Sequence, residues 1–132
     1  MIESLVNAES IPVLERMISF TAHRHRAIVQ NIANLDTPGY TMQDLPVEKF
    51  RKELAEAIEA RRRDGGTHLP PMRRGILQPH PAVDYVLFHD RNNRSVEKQM
   101  ALLAENAMAH NASIEILKKQ FNLLEVAIRE RL

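Results

Sequence analysis

The 132-residue chain has no cysteine and no tryptophan, and aromatic residues make up only 5% of it. Without cysteine, disulfides and thiolate metal sites are excluded. The scarcity of aromatic rings leaves few large, rigid side chains to anchor a core. A chain of this length has no room for a second core, so we expect one domain over residues 1–132.

Long apolar runs are also missing from the sequence. No window approaches the ~20 apolar residues that a helix needs to cross a bilayer, so no membrane span is expected. Residues 1–5 show neither a basic start nor a long apolar run, so no cleaved signal peptide is expected. The charges nearly cancel, with 18 Lys and Arg against 17 Asp and Glu. This balance argues against a nucleic-acid partner, which requires a basic surface.

Sequence signals for enzymatic chemistry are lacking too. His23 and His25 are two residues apart and would point to different faces of a helix, which does not suit a metal site. Gly65 and Gly66 form an isolated pair, and the sequence contains neither a phosphate-binding glycine loop nor a nucleophile turn. We therefore expect no catalytic site, no cofactor, no metal and no small-molecule substrate.

The first feature that is present is an amphipathic helix with a sharp end. Pro38 disfavours helical backbone at Thr37, so the helix must end at or before that residue. Pro38 and Gly39 suit the two central positions of a type II turn, in which the glycine takes a positive φ. Asn34 and Asp36 can bond exposed groups of the last turn. We predict a helix over about residues 11–35, with apolar residues at helical spacing: Leu14, Ile18, Ala22, Ile28, Val29, Ile32 and Leu35.

A second helix is predicted over residues 93–132, and it carries a heptad seam. His110 lies on this seam, where a hydrogen-bonded or register-setting polar residue is favoured over a metal ligand or a pH switch. A second row, formed by Leu102, Ala109, Ile116 and Leu123, suits a helix with neighbours on more than one side. The seam also includes Val96, and we expect its other members to supply helix packing: Met100, Leu103, Ala107, Ile114, Leu117, Phe121, Leu124 and Ile128.

The middle of the chain, residues 41–92, is predicted to be short and irregular. It contains a predicted helix over 47–62, a loop over 64–82 that is rich in glycine and proline, and a possible short strand over 84–88. With residues 1–40 as the N-terminal helix and turn, the fold class is mainly α. Long N- and C-terminal helices form a coiled-coil-like pair, and the middle is irregular with some β structure.

The two terminal helices differ in length. Residues 96–130 would span roughly 52 Å as a helix, and the N-terminal helix can cover about two thirds of that length. The uncovered part must contact another chain or fray. We therefore expect the free monomer to have mobile ends that become ordered on assembly.

Two segments carry a resemblance to a known family. Asn31, Ile32, Ala33 and Asn34, followed after two variable residues by Thr37, Pro38, Gly39 and Tyr40, resemble the signature of the bacterial flagellar rod and hook axial proteins. Near the C-terminus, residues 92–93, 100–101, 103–107 and 118–124 resemble the closing region of a proximal rod member of that family. The resemblance covers about residues 10–50 and 90–132.

The resemblance implies a structural subunit of the flagellar basal-body rod, which transmits torque for motility through packed terminal helices. The eight motif residues would fix the end of the first helix and its contacts with other subunits. Implied partners are other copies of the chain, other rod proteins, and proteins of the membrane-ring junction and the export apparatus. The implied location is the periplasmic rod, reached as a substrate of the flagellar type III export apparatus without a cleaved signal.

Two other function classes are alternatives. A helical adaptor or export chaperone would also have amphipathic helices, but it should fold fully alone and has no need of the Thr-Pro-Gly-Tyr stop. A nucleic-acid-binding module could use Arg61, Arg62, Arg63, Arg73 and Arg74, and its affinity would fall steeply with salt.

Overall fold

The computed structural model describes residues 10–66, 68–82 and 93–131. In the last range, side chains are described from residue 96 onwards. The order of elements is α1 (Ser10–Ala33), β1 (Gln43–Asp44), α2 (Val47–Arg63), β2 (His80–Pro81) and α3 (Asn93–Arg131). The predicted mainly α fold, with long terminal helices and a short middle that contains strands, is confirmed. The strand predicted over 84–88 lies outside the described residues, and the single-domain organisation stays a prediction.

Helix α1 ends two residues earlier than the sequence suggested, and the predicted turn follows it. The Tyr40 amide donates to the Thr37 carbonyl at 3.3 Å, which closes a four-residue turn. Gly39 has a φ of 77°, a conformation that glycine adopts without steric cost. The Asn34 side-chain amide donates to the Gln30 carbonyl at 2.8 Å, so one carbonyl of the last turn is satisfied as expected.

Helices α1 and α3 form an antiparallel pair. Asn31, near the end of α1, bonds Gln99, near the start of α3. Ten residues earlier in α1, Thr21 contacts Asn106 and His110, which lie later in α3. Later residues of α3 therefore contact earlier residues of α1.

The pair is uneven in length, as the sequence predicted. The 39 residues of α3 span about 58 Å and the 24 residues of α1 about 36 Å. The antiparallel register places Ser10, the first described residue of α1, opposite about residue 120. Residues 121–131 of α3 therefore extend past the described part of α1.

A hydrophobic core lies on the other side of α1, between it and α2. The rings of Phe20 and Phe50 stack with centroids 4.0 Å apart and an interplanar angle of 13°. Val47 and Ile58 pack partly buried at the edge of this core, so α2 presents an apolar face to α1. Helix α1 is thus covered by α2 on one side and by α3 on another. The buried members of the core are Phe20, Ala27, Leu45, Phe50, Leu54 and Ile76.

The loop predicted over 64–82 is held against the helices at several points. Leu69 and Ile76 are buried, and β2 at the end of the loop pairs antiparallel with β1. The Ala82 amide adds a bond to the Met42 carbonyl at 2.9 Å. The two short strands therefore fix the loop beside the end of α1.

The Phe20–Phe50 stack is the first feature to test. Phe50→Ala should lower the free energy of unfolding by about 3–5 kcal/mol, because it removes a buried ring and leaves a cavity. Phe121→Ala is the matched control, since that ring is half exposed in the isolated chain and its loss should change stability by less than about 0.5 kcal/mol. Urea unfolding measures both, and equal effects of the two variants would contradict the described core.

The unequal helix lengths predict a gradient of protection along α3. In a dilute monomeric sample, amides of residues 121–131 should exchange with solvent faster than those of residues 99–117, which pack on α1. Hydrogen exchange followed by mass spectrometry measures this difference. Uniform strong protection along all of α3 would show that the free chain already covers its far end.

Candidate assembly site at the helix pair

The Asn31 side chain joins four parts of the fold. Its amide nitrogen donates to the Gln43 carbonyl at 2.6 Å and to Gln99 Oε1 at 3.0 Å. Its oxygen accepts from the Gln43 amide at 2.9 Å and from the Tyr40 hydroxyl at 3.3 Å. A primary amide offers two donors and two acceptor lone pairs, so every one is used. With only 1% of the residue exposed, Asn31 links α1, the turn, β1 and α3.

The rest of the motif divides between local bonding and exposed surface. Asn34 accepts a bond from the Thr37 hydroxyl at 3.2 Å, which ties the turn back to the helix end. Ile32 is half-buried, whereas Ala33, Pro38 and Gly39 are exposed. The geometry gives a physical reason for the two asparagines and the glycine within one subunit. The predicted inter-subunit contacts of the motif stay a prediction.

A second polar contact that the sequence analysis missed holds β1 against α1. Arg24 makes a two-pronged bond with Asp44, with its Nε 2.9 Å from Oδ1 and its Nη2 3.1 Å from Oδ2. Asp44 Oδ1 also accepts the Leu45 amide at 2.8 Å. Such paired, charge-assisted bonds fix geometry as well as adding stability. Arg24 and Asp44 lie 20 residues apart in the chain and no sequence pattern connects them, so the sequence did not predict this ion pair.

The face of α3 that contacts α1 is centred on polar side chains. Gln99, Asn106 and Ser113 recur every seventh residue and are all buried. Asn106 donates to the Thr21 carbonyl at 2.8 Å, and His110 Nδ1 lies 2.7 Å from the Thr21 hydroxyl. His110 is therefore a hydrogen-bonded polar residue, as the sequence favoured. The seven-residue spacing of this polar row is visible in the sequence, but helix packing is predicted from apolar side chains, so the row gave no sign of its contact with α1.

The eight predicted packing residues fall beside this polar row. The buried polar positions lie one residue before Met100, Ala107 and Ile114, so the apolar seam is displaced from the centre of the contact with α1. Met100 and Phe121 are each 51% exposed and Ile128 is 62% exposed. The role of the eight in helix packing stays a prediction. The half-buried members are Leu103, Ala107, Ile114, Leu117 and Leu124.

Apolar side chains also lie on the opposite flank of the polar row. Ile116 and Leu123 belong to the second predicted row and are each 46% exposed. Val126 and Met108 are exposed as well. Helix α3 thus carries exposed apolar groups on both sides of α1, most of them in its C-terminal half. Large apolar side chains exposed in number along one helix are typical of a protein interface.

Within ranges 10–66, 68–82 and 93–131, no group of three or more His, Asp or Glu side chains is placed to hold a metal ion. None of the helices described is both long enough and apolar enough to cross a membrane.

The structure thus combines a long antiparallel helix pair, a motif turn bonded into it and apolar side chains left exposed on α3. The chain is similar to three proteins named flagellar basal body rod protein FlgB. It is 24% identical to the Aquifex aeolicus protein over 92% of this chain and 94% of that protein. The corresponding values are 25%, 90% and 92% for Bacillus subtilis, and 26%, 91% and 96% for Borrelia hermsii.

These alignments confirm the resemblance read from the two motif segments and support a FlgB-type flagellar rod protein. They extend it through the middle of the chain, for which the motifs alone gave no match. No family model matches the chain, and no solved structure matches it either.

The Asn31 amide can be tested with a nearly isosteric change. Asn31→Asp replaces two donors by a carboxylate facing the oxygens of Gln43 and Gln99, so the free energy of unfolding should fall by at least about 2 kcal/mol. Asn34→Asp is the control, because Asn34 bonds only within the exposed helix end and turn. Its cost should stay below about 1 kcal/mol. Urea unfolding at pH 7 measures both, and equal losses would contradict the special place of Asn31.

Proposed function

We propose that the chain is a structural subunit of the proximal rod of the bacterial flagellum, which assembles through its terminal helices and transmits torque for motility. The observation that carries the proposal is the pair of apolar rows on α3 that α1 leaves partly or largely exposed, in a chain similar to FlgB proteins along nine tenths of its length. The proposal assigns the chain no catalytic role and no cofactor.

The polar row of α3 supports this function because it determines which face of α3 packs on α1 and which faces remain available to a neighbouring subunit. Gln99 and Asn106 find their partners on α1 of the same chain. The apolar rows on the two flanks are then presented outwards in a fixed orientation. Helices of neighbouring subunits would cover these rows, and repeated contacts between unlike surfaces generate a helical array.

The exposed apolar side chains provide a driving force for assembly. Burial of each large side chain contributes roughly 1.5–3 kcal/mol when it is complete. Met100, Phe121 and Ile128 are each more than half exposed in the free chain, so about half of this energy is gained only on contact with a neighbour. The uncovered end of α3 would become ordered in the same step.

The partners proposed are other copies of the chain and other rod proteins, together with proteins of the membrane-ring junction and the export apparatus. The location proposed is the periplasmic part of the basal body, reached by the flagellar export route without removal of a signal peptide. Mass spectrometry of the subunit from purified basal bodies tests the last point. An N-terminus that begins inside the encoded sequence, beyond loss of Met1, would contradict it.

The alternative functions gain no support. Nothing in the comparisons favours a helical adaptor or an export chaperone. The basic residues that a nucleic-acid-binding module would use are partly neutralised, because Arg62 pairs with Glu59 and Arg73 lies 3.7 Å from Glu53.

The apolar rows make a direct prediction about motility. Phe121→Glu should abolish swimming, because the charge blocks burial against a neighbour, but it should leave the unfolding of the isolated chain nearly unchanged. Asn122→Glu is the matched control: it puts the same charge on the adjacent exposed position, and cells that carry it should swim. Normal swimming with Phe121→Glu would contradict the proposed role of this row.

Crosslinking tests the assembly itself, because the chain has no cysteine of its own. Single cysteines replacing Lys118 and Gln43 should give crosslinks to further copies and to other rod proteins in purified basal bodies. Absence of the chain from basal bodies, with capture of a soluble partner instead, would favour the adaptor function.

A further inference from the structure

Helix α2 covers one side of the α1–α3 pair and leaves the other side open. On α1, Thr21 contacts α3 through Asn106, and Phe20, the residue before it, stacks on Phe50 of α2. Successive residues of a helix point about 100° apart. Ala22, the residue after Thr21, therefore points to the side of the pair opposite α2, which we call the open side.

Both helices contribute a row of side chains to this open side. Two antiparallel right-handed helices turn in opposite senses when viewed from one end, so the residue after a contact position points to the same side on both. On α3, Met100 and Ala107 each follow a buried contact position by one residue, as Ala22 and Val29 do on α1. The bond from Asn106 sets the register, so Ala22 lies beside Ala107 and Val29 lies beside Met100.

These four residues form a groove with a recess in it. Val29 is 42% exposed and Met100 is 51% exposed, so the larger pair stands out from the surface. Ala22 and Ala107 are half-buried and carry only a methyl group each. A small pair beside a larger pair leaves a hole of the kind that receives a large side chain of a third helix.

The charges next to the groove cancel. Arg26 lies one turn after Ala22 on α1, and Glu15 lies seven residues before Ala22; both are exposed. A segment that fits this groove therefore has large apolar side chains and balanced charges, since an unpaired charge is costly to bury.

The far end of α3, residues 121–131, has these properties, and we call it the α3 tip. It extends past the described part of α1, and its two acidic and two basic residues give it no net charge. It is about 16 Å long, whereas the open side of α1 from residue 15 to residue 29 is about 21 Å long, so the tip fits along it. Apolar side chains on more than one face of the tip are between 46% and 62% exposed: Phe121, Leu123, Val126 and Ile128.

We propose that the α3 tip of one copy of the chain docks as a third helix in the groove of a second copy, with a large tip side chain in the recess at Ala22 and Ala107. Tip and groove are different surfaces, so the contact is heterologous and each added copy leaves one tip and one groove free. It involves about three turns of one helix, so it is smaller than a standard interface and reversible. The inference rests on the proposed function in taking the neighbour to be a second copy.

Charge variants of the full chain test the contact. Ala107→Glu places a carboxylate in the groove, and Ile128→Glu places one on the tip. Sedimentation velocity should show that the wild type associates as its concentration rises, and that each variant alone associates at least tenfold more weakly. Ala101→Glu is the matched control and should associate like the wild type, because Ala101 is exposed on α3 and points away from the groove.

A mixture of the two variants separates this contact from symmetric ones. The Ala107→Glu copy keeps an intact tip and the Ile128→Glu copy keeps an intact groove, so an equimolar mixture should form a dimer that neither variant forms alone. Growth should stop at the dimer, because the remaining tip and groove both carry the added charge. Contacts of groove with groove or tip with tip would give no such dimer.

Folding is checked on the same samples by circular dichroism. Ala22→Glu, on the other wall of the groove, should behave as Ala107→Glu does, so a folding defect of one variant does not decide the result. The proposal is overturned by a wild type that stays monomeric up to about 1 mM, by a mixture that forms no dimer, or by equal weakening with Ala101→Glu. Each of these results leaves the proposed function standing, because that function also allows other rod proteins as neighbours; absence of the chain from basal bodies would contradict the function instead.

Discussion

The buried amide of Asn31 is the constraint on which the arrangement of the other elements depends. Its four hydrogen bonds join the end of α1 to the turn, to β1 and to α3. Any other side chain at this position would change either the number of donors and acceptors or their geometry. Because the site is closed to water, each lost bond leaves a buried group unsatisfied. The sharp end of α1, the short strand pair and the register of the two long helices are thus coupled.

That coupling has a consequence for the outer surface of the molecule. Once Gln99 is bonded to Asn31, and Asn106 to Thr21, the rotation of α3 about its axis is fixed. Its apolar rows then lie on both flanks of α1 rather than beneath it. A fully apolar contact would allow α3 to pair with many helices, since hydrophobic attraction is not directional. Polar groups that require specific partners favour one pairing and one register, as buried asparagines do in coiled coils.

The sequence predicted the long elements well because their causes are local. Pro38 and Gly39 end α1 through their own backbone preferences, and the heptad repeat identifies α3 from its own periodicity. The bonds of the Asn31 side chain were not predictable, because its partners lie 12 and 68 residues away in the chain. The face of α3 that contacts α1 was also missed. Periodicity shows that α3 has a polar row and an apolar seam side by side. It does not show which of the two faces α1.

The coupling energy between Asn31 and Gln99 measures the central constraint most directly. A double-mutant cycle with Asn31→Ala, Gln99→Ala and the double variant, followed by urea unfolding of the isolated chain, removes the costs that each change has elsewhere. If the Asn31 amide fixes the register of α1 and α3, the coupling should be at least ~1 kcal/mol. Additive losses within ~0.5 kcal/mol would show that the two helices are held without this bond and would contradict its central place.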